Sequence, residues 1–330
     1  MSSVAANTNA NTNANTNTNT NSNTNTSIQA HRSAVWRVSW AHPEYGQLLA
    51  TCGADNSAAI WEEVQITSTN NNTTNINKNW VEKARLSDAR RSVNCVEFAP
   101  RHLGLMLATG SADGCVRIYE AIDVVNLHHW PLQGTIELEE TVVHEELGVT
   151  SLSWCQGRFE PKALVIGGSS GSVLVYRYSD AARQWQLAIK LRSHARGVLD
   201  VAWAPNVGRS YHLISSVGMD GKAMVHRLKR TKNNSNPSNE DSANLTNESS
   251  KTLQCESSVE LDTKSSEVWR CKWNVTGTVL ATSGDGGMVK LWKSDYYRNL
   301  NLNNNDRNNG ENAGLSWRCV SEVVGDIHEA

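Results

Sequence analysis

The residues with site-like chemistry recur at one offset. Asp55, Asp113 and Asp220 each stand six residues before the position that closes an apolar run (Trp61, Tyr119 and His226), and His31 and His194 lie upstream of the first and third of these aspartates. A carboxylate in such a tight turn accepts bonds from turn backbone N–H groups and from an upstream imidazole, which is structural chemistry. Variants of the arrangement appear elsewhere. His144 precedes a copy in which Ser170 replaces the aspartate, Asp285 sits one residue early in a copy preceded by Lys264, and the stretch from Asp88 to Arg91 takes the histidine's place before Asp113. His31, Asp55, Asp113, His144, His194, Asp220 and Asp285 are therefore read as one structural set.

Catalytic chemistry finds no constellation. The chain has no G-x-S-x-G, no phosphate-binding glycine loop and no H-E-x-x-H. Glu139-Glu140 and Glu145-Glu146 flank an apolar run and face solvent on this reading, while His128-His129 has no further metal ligand at useful spacing. Lys229, Arg230 and Lys232 form a basic cluster too short for a nuclear import signal. No enzyme, catalytic residue, cofactor or metal site is expected.

The elements that hold the aspartates are copies of one unit. Val35 to Trp61 reads as three short strands: an aromatic-ended run, a turn at Pro43 and Gly46, a small-residue run, a turn at Asp55-Asn56, and a run ending Ile60-Trp61. Further copies begin at Val93, Val149, Val198 and Val268, and in all five an aromatic stands five residues after the opening valine: Trp40, Phe98, Trp154, Trp203 and Trp273. An outer strand follows each copy, near 80–86, 135–143, 184–192, 252–261 and 317–325. Four strands per unit make a propeller blade, so the fold class is all-β with five legible blades.

Composition agrees with one repeat-built domain. Twelve Trp against two Phe fits aromatic positions repeated in a core, and a net charge of −2 over 330 residues gives no basis for a phosphate-binding surface. The seven cysteines include no C-x-x-C and read as reduced thiols. The start of the chain has neither the apolar core nor the basic segment of a secretory signal, so a cytosolic or nuclear protein is expected. Residues 1–27 are expected to be a disordered Asn/Thr tail, and 28–326 a propeller with low-complexity inserts at 66–79, 232–250 and 299–313 that are disordered too. These inserts lengthen the repeat beyond the about 40–45 residues of a WD40 unit, and all emerge between third and fourth strands, on one face of the disc.

Long strings then carry a resemblance: VWRVSWAHPEYGQLLATC, AAIWEEV, FAPRHLGLMLATGSADGCVRIYEA, APNVGRSYHLI and SSEVWRCKWNVTGTVLATSGDGGMVKLWK. The chain resembles the Sec-thirteen homologue family of WD40 nucleoporins, over about residues 30–325. The resemblance implies a non-catalytic scaffold subunit of the Y-shaped nuclear pore coat, and of the GATOR (SEA) complex that controls TOR signalling. It also implies an open propeller that a larger coat partner completes by donating a blade in trans. Location at the nuclear envelope, or through GATOR at the lysosomal membrane, would be indirect, with protein partners only and no nucleic acid. Family members carry a further blade before the VWRV string, where this chain has its Asn/Thr tail, so the ring is expected to be open. Trp36 and Arg37 in the first unit and Trp269 and Arg270 in the last are the expected partner contacts. A free-standing WD40 adaptor, such as a ubiquitin-ligase substrate receptor, is the alternative and requires a self-closed ring.

Overall fold

The computed structural model describes residues 28–70, 73–138, 148–158, 160–232, 251–294 and 316–324. They build five four-stranded antiparallel meanders. The first blade contains β1 (Val35–Trp40), β2 (Leu48–Gly53), β3 (Ala58–Asn70) and β4 (Thr73–Leu86). The second contains β5 (Val93–Phe98), β6 (Met106–Ser111), β7 (Cys115–Glu120) and β8 (Leu132–Glu137), and the third β9 (Val149–Trp154), β10 (Ala163–Gly168), β11 (Val173–Ser179) and β12 (Gln184–Lys190). The fourth has β13 (Val198–Trp203), β14 (Tyr211–Gly218), β15 (Ala223–Lys232) and β16 (Lys251–Leu261), and the fifth β17 (Val268–Trp273), β18 (Val279–Gly284), β19 (Met288–Ser294) and β20 (Trp317–Val324). The inner strands β1, β5, β9, β13 and β17 pack in that order, giving a five-bladed β-propeller.

A β-bulge shapes every inner strand. The register slips between the first and third residues of β1, β5, β13 and β17, and opposite the same place in β9. The second residue of each strand is thereby unpaired, and the parity of the side chains changes after it. The first, fourth and sixth residues then share the face toward the preceding blade, and the third and fifth the face toward the following one. Val93, Val96 and Phe98 accordingly pack with Leu48, Cys52 and Ile60 of the first blade, whereas Cys95 packs toward Val149 and Trp154 of the third. The approach between blades is close enough to require glycine: a Cβ on Gly167 would stand 2.6 Å from Val198 Cγ1 of the next blade.

Apolar clusters of this kind fill the spaces between the first and second, second and third, third and fourth, and fourth and fifth blades. Among the described residues no such cluster joins the fifth blade back to the first. Among the described residues the first and fifth blades thus share no apolar interface of the kind that joins the other neighbours.

One expected disordered insert is ordered. In the 66–79 tract β3 and β4 remain paired from Ala58↔Leu86 out to Asn70↔Thr73. The composition argument for disorder asked how much apolar surface the tract buries. A hairpin continuing from a folded blade needs little, because its backbone bonds propagate from an anchored end, and the branched Cβ of threonine favours extended backbone. The 1–27 and 299–313 tracts, residues 233–250 and His144 lie outside the described residues.

Candidate protein interface on the terminal blades

The site follows from what the missing neighbour leaves uncovered. In the second blade, the face toward the preceding blade buries Val93, Val96 and Phe98 to 2%, 1% and 7% exposure. At the same positions of the first blade Val35, Val38 and Trp40 are 45%, 50% and 57% exposed. The residue types match those of a blade interface, and among the described residues no blade precedes them. Trp40 packs edge-on against Trp80, with ring centroids 5.6 Å apart, and lines a shallow cavity of ≈ 260 Å³ with Ala41, Pro43, Gly46 and Gln47. In the third and fifth blades the corresponding indoles donate to a carbonyl of the preceding blade, Trp154 Nε1 to Glu97 O at 3.1 Å and Trp273 Nε1 to Ala202 O at 3.2 Å.

The four residues expected at the interface separate. Trp36 and Trp269 occupy the bulges and are 52% and 44% exposed. Trp36 Nε1 donates to Ser92 Oγ at 2.9 Å and Trp269 Nε1 to Asp285 Oδ1 at 2.7 Å, so both indoles are held at the surface beside the segments that flank the strands. Arg270 is exposed. Arg37 instead turns to the axis, where its Nη2 donates to Asp200 Oδ1 at 2.7 Å. Val35, Val38 and Trp40, the residues that are most plainly uncovered, were missed. The signal lies in the sequence, because they align with Val93, Val96 and Phe98, which are buried in the next unit.

Asp200 is fully buried and ties four blades together. Besides Arg37 of the first blade, it accepts from Ser151 Oγ of the third at 2.8 Å and from the backbone N–H of Cys271 of the fifth at 3.2 Å. Burial by itself would lower the Arg37 pKa, but the Asp200 carboxylate outweighs it and holds the guanidinium charged. Nearby, burial pushes the Glu97 carboxyl up to about 7, against the pull of Lys272 and Arg37.

The turn set is built as networks rather than as reactive groups. His31 Nδ1 lies 2.9 Å from Asp55 Oδ1, its Nε2 2.8 Å from Thr51 Oγ1, and Trp61 Nε1 donates to Thr51 Oγ1 at 3.0 Å. The fourth blade repeats this with His194, Asp220 and Ser216, ending on His226 in place of the tryptophan. In the second blade Arg117 substitutes for the histidine, with Nη2 2.8 Å from Asp113 Oδ2, and Tyr119 donates to Asp88 at 2.9 Å. Asp285 receives Ser266 Oγ and Trp269 Nε1, and Trp292 keeps its bond to Thr282 at 2.9 Å without a histidine. Each network locks a turn to the strand beneath it.

These networks make a pH dependence. Burial pushes the Asp55 carboxyl up, but bonds from His31, Ser57 and the Arg32 backbone outweigh it and hold the pKa at about 2. A depressed carboxylate stabilises the fold at pH values above its unfolded pKa of about 3.9, and that contribution is lost as pH falls through 2. Asp55→Asn is expected to lower the denaturant midpoint at pH 6 and to differ little from the parent at pH 2. A constant difference between the two proteins across that range would contradict the assignment.

Bulged four-stranded meanders whose turns are locked by aspartate, histidine and tryptophan define a WD40-type propeller. The model of the WD domain, G-beta repeat matches residues 22–62, 81–120 and 254–293. The chain is 37% identical over 308 residues to nucleoporin SEH1-A of Xenopus laevis, covering 91% of this chain and 75% of the relative. It is 38% identical to nucleoporin SEH1 of Homo sapiens over 308 residues, with the same coverage, and 38% identical to that of Danio rerio over 310 residues, covering 91% and 74%. The chain belongs to the nucleoporin SEH1 family.

Proposed function

We propose that this chain is a non-catalytic scaffold subunit of the nuclear pore coat at the nuclear envelope, and that a larger coat protein lays strands against its open terminal blades. The observation that carries this reading is the exposed face of Val35, Val38 and Trp40, which has the composition of a blade interface and no blade upon it. A contiguous apolar face of this kind marks an interaction site on a folded protein, and strand donation suits it because side-chain packing and backbone pairing are gained together. We assign Trp36, Trp269 and Arg270 to the rim of that contact, and to Arg37 an indirect role through Asp200. The names of the relatives support a place in the nuclear pore. The GATOR complex is the other destination the resemblance implies, and the identity of the bound subunits separates the two.

The test is purification of the tagged full chain from its own cells, with the bound proteins identified by mass spectrometry, beside Trp40→Glu. Coat nucleoporins in stoichiometric amount are expected with the parent chain and at least about tenfold less with Trp40→Glu, since a buried, unpaired carboxylate in the contact costs more than about 1.4 kcal/mol. The parent chain recovered as a monomer without coat subunits would oppose the proposal. So would coat subunits retained at the parent level by Trp40→Glu.

A further inference from the structure

We infer that the strand docking against the last blade carries carboxylates at alternate positions, aimed at Arg270 and Lys272. This deepens the proposed function and rests on its reading of the open blade as a receiver of strands.

Five faces, one on each blade, are turned toward the position of a following blade. Third and fifth residues of the inner strands line them, and on the first four blades these include a hydrogen-bond acceptor for the next blade. Ser39 Oγ accepts from Phe98 N at 3.1 Å, and Ser151 and Ser153 Oγ accept from Val201 N at 3.0 Å and Trp203 N at 3.2 Å. Asp200 accepts from Cys271 N at 3.2 Å, and Glu97 Oε1 accepts from Ser153 Oγ at 3.4 Å. On the fifth blade the equivalent residues are Arg270 and Lys272, which only donate. Both are exposed, and among the described residues neither forms an ion pair, although Lys272 acts electrostatically on Glu97. A backbone N–H from an incoming strand finds no acceptor there.

The pairing register extends the pattern outward. Arg270 is followed across the sheet by Ser283, Val289 and Val323, and Lys272 by Ala281, Leu291 and Ser321. The face is cationic at the channel edge and largely apolar beyond it, with Val289 and Val323 39% and 57% exposed. An inner strand placed against it fits best with acidic residues toward Arg270 and Lys272 and apolar residues on its other side. A second copy of this chain does not fit. Its free first blade would bring Val35, Val38 and Trp40 against the two cations and desolvate them without a partner.

The probes are two fluorescein-labelled extended peptides, one alternating Val with Glu and one alternating Val with Lys, titrated by anisotropy into the full chain and into Arg270→Glu/Lys272→Glu. The parent is expected to favour the Val-Glu peptide by about tenfold at low salt, with the preference shrinking as salt rises and reversing in the charge-reversed variant. Equal affinity for both peptides, no binding of either, or a preference unchanged in the variant would overturn the inference. Concentration-dependent self-association of the parent that the variant abolishes would overturn it as well. If Arg270→Glu/Lys272→Glu, at the parent's Tm, retains coat subunits from cells at the parent level, the inference fails while the proposed function stands. Absence of coat subunits from the parent preparation fails the proposed function instead.

Discussion

Asp200→Ala is expected to destabilise the propeller by about 3–5 kcal/mol, a large fraction of the roughly 5–15 kcal/mol that holds a typical domain folded. The carboxylate is fully buried and is the counter-ion of Arg37, whose Nη2 lies 2.7 Å away. Its removal leaves that guanidinium uncompensated near the axis and takes the acceptor from Ser151 Oγ and from the Cys271 N–H. The loss arises mainly from stranded partners rather than from the net worth of the pair, because desolvating two charges offsets most of their attraction. Arg37→Met/Asp200→Ala is therefore expected to recover more than half of it. Urea midpoints of the parent, the two single variants and the double variant measure the coupling directly. Additive losses in the double variant would show that Arg37 and Asp200 act independently and would remove the axial tie between the first blade and the fourth.

A comparable effect is expected from Trp154→Ala, and almost none from the equivalent Trp40→Ala. The two tryptophans occupy the same position of their inner strands, yet Trp154 is 0% exposed and Trp40 57%. Truncating Trp154 removes its packing against Leu164 and Tyr176 and its bond to Glu97 O, leaves a cavity, and is expected to cost about 3–5 kcal/mol. Trp40 buries much less, so its loss is expected to lie within about 1 kcal/mol in the free chain. If the proposed function holds, the two positions converge in the complex, where Trp40→Ala is expected to weaken partner binding. Calorimetric melting of both variants checks the first part. A loss at Trp40 in the free chain as large as that at Trp154 would mean that its face is covered within the chain itself.

The blades were legible because their spacing rule is local. An opening valine and an aromatic five residues later fix an inner strand, and each tight turn confines the next two strands to a few registers. The bulge at the second residue was not legible, since it shows only in pairing between strands. Without it the directions of Trp36 and Arg37 cannot be assigned: the sequence pairs them as contacts, whereas Trp36 stays exposed and Arg37 reaches Asp200. The Arg37–Asp200 pair was invisible for a related reason: its members stand in blades far apart in sequence, and no local pattern links them. The hairpin through 66–79 was hidden by composition, which measures burial and says little about a ribbon propagating from a folded end.

The proposed function requires that the first and last blades do not meet each other and that another polypeptide completes them. Cryo-electron microscopy of the chain purified with its native partner tests it most directly. Strands of a second polypeptide are expected over Val35, Val38 and Trp40 on one side and beside Arg270 and Lys272 on the other. A ring in which the first blade packs directly on the fifth, with those residues buried by their own chain, would contradict it.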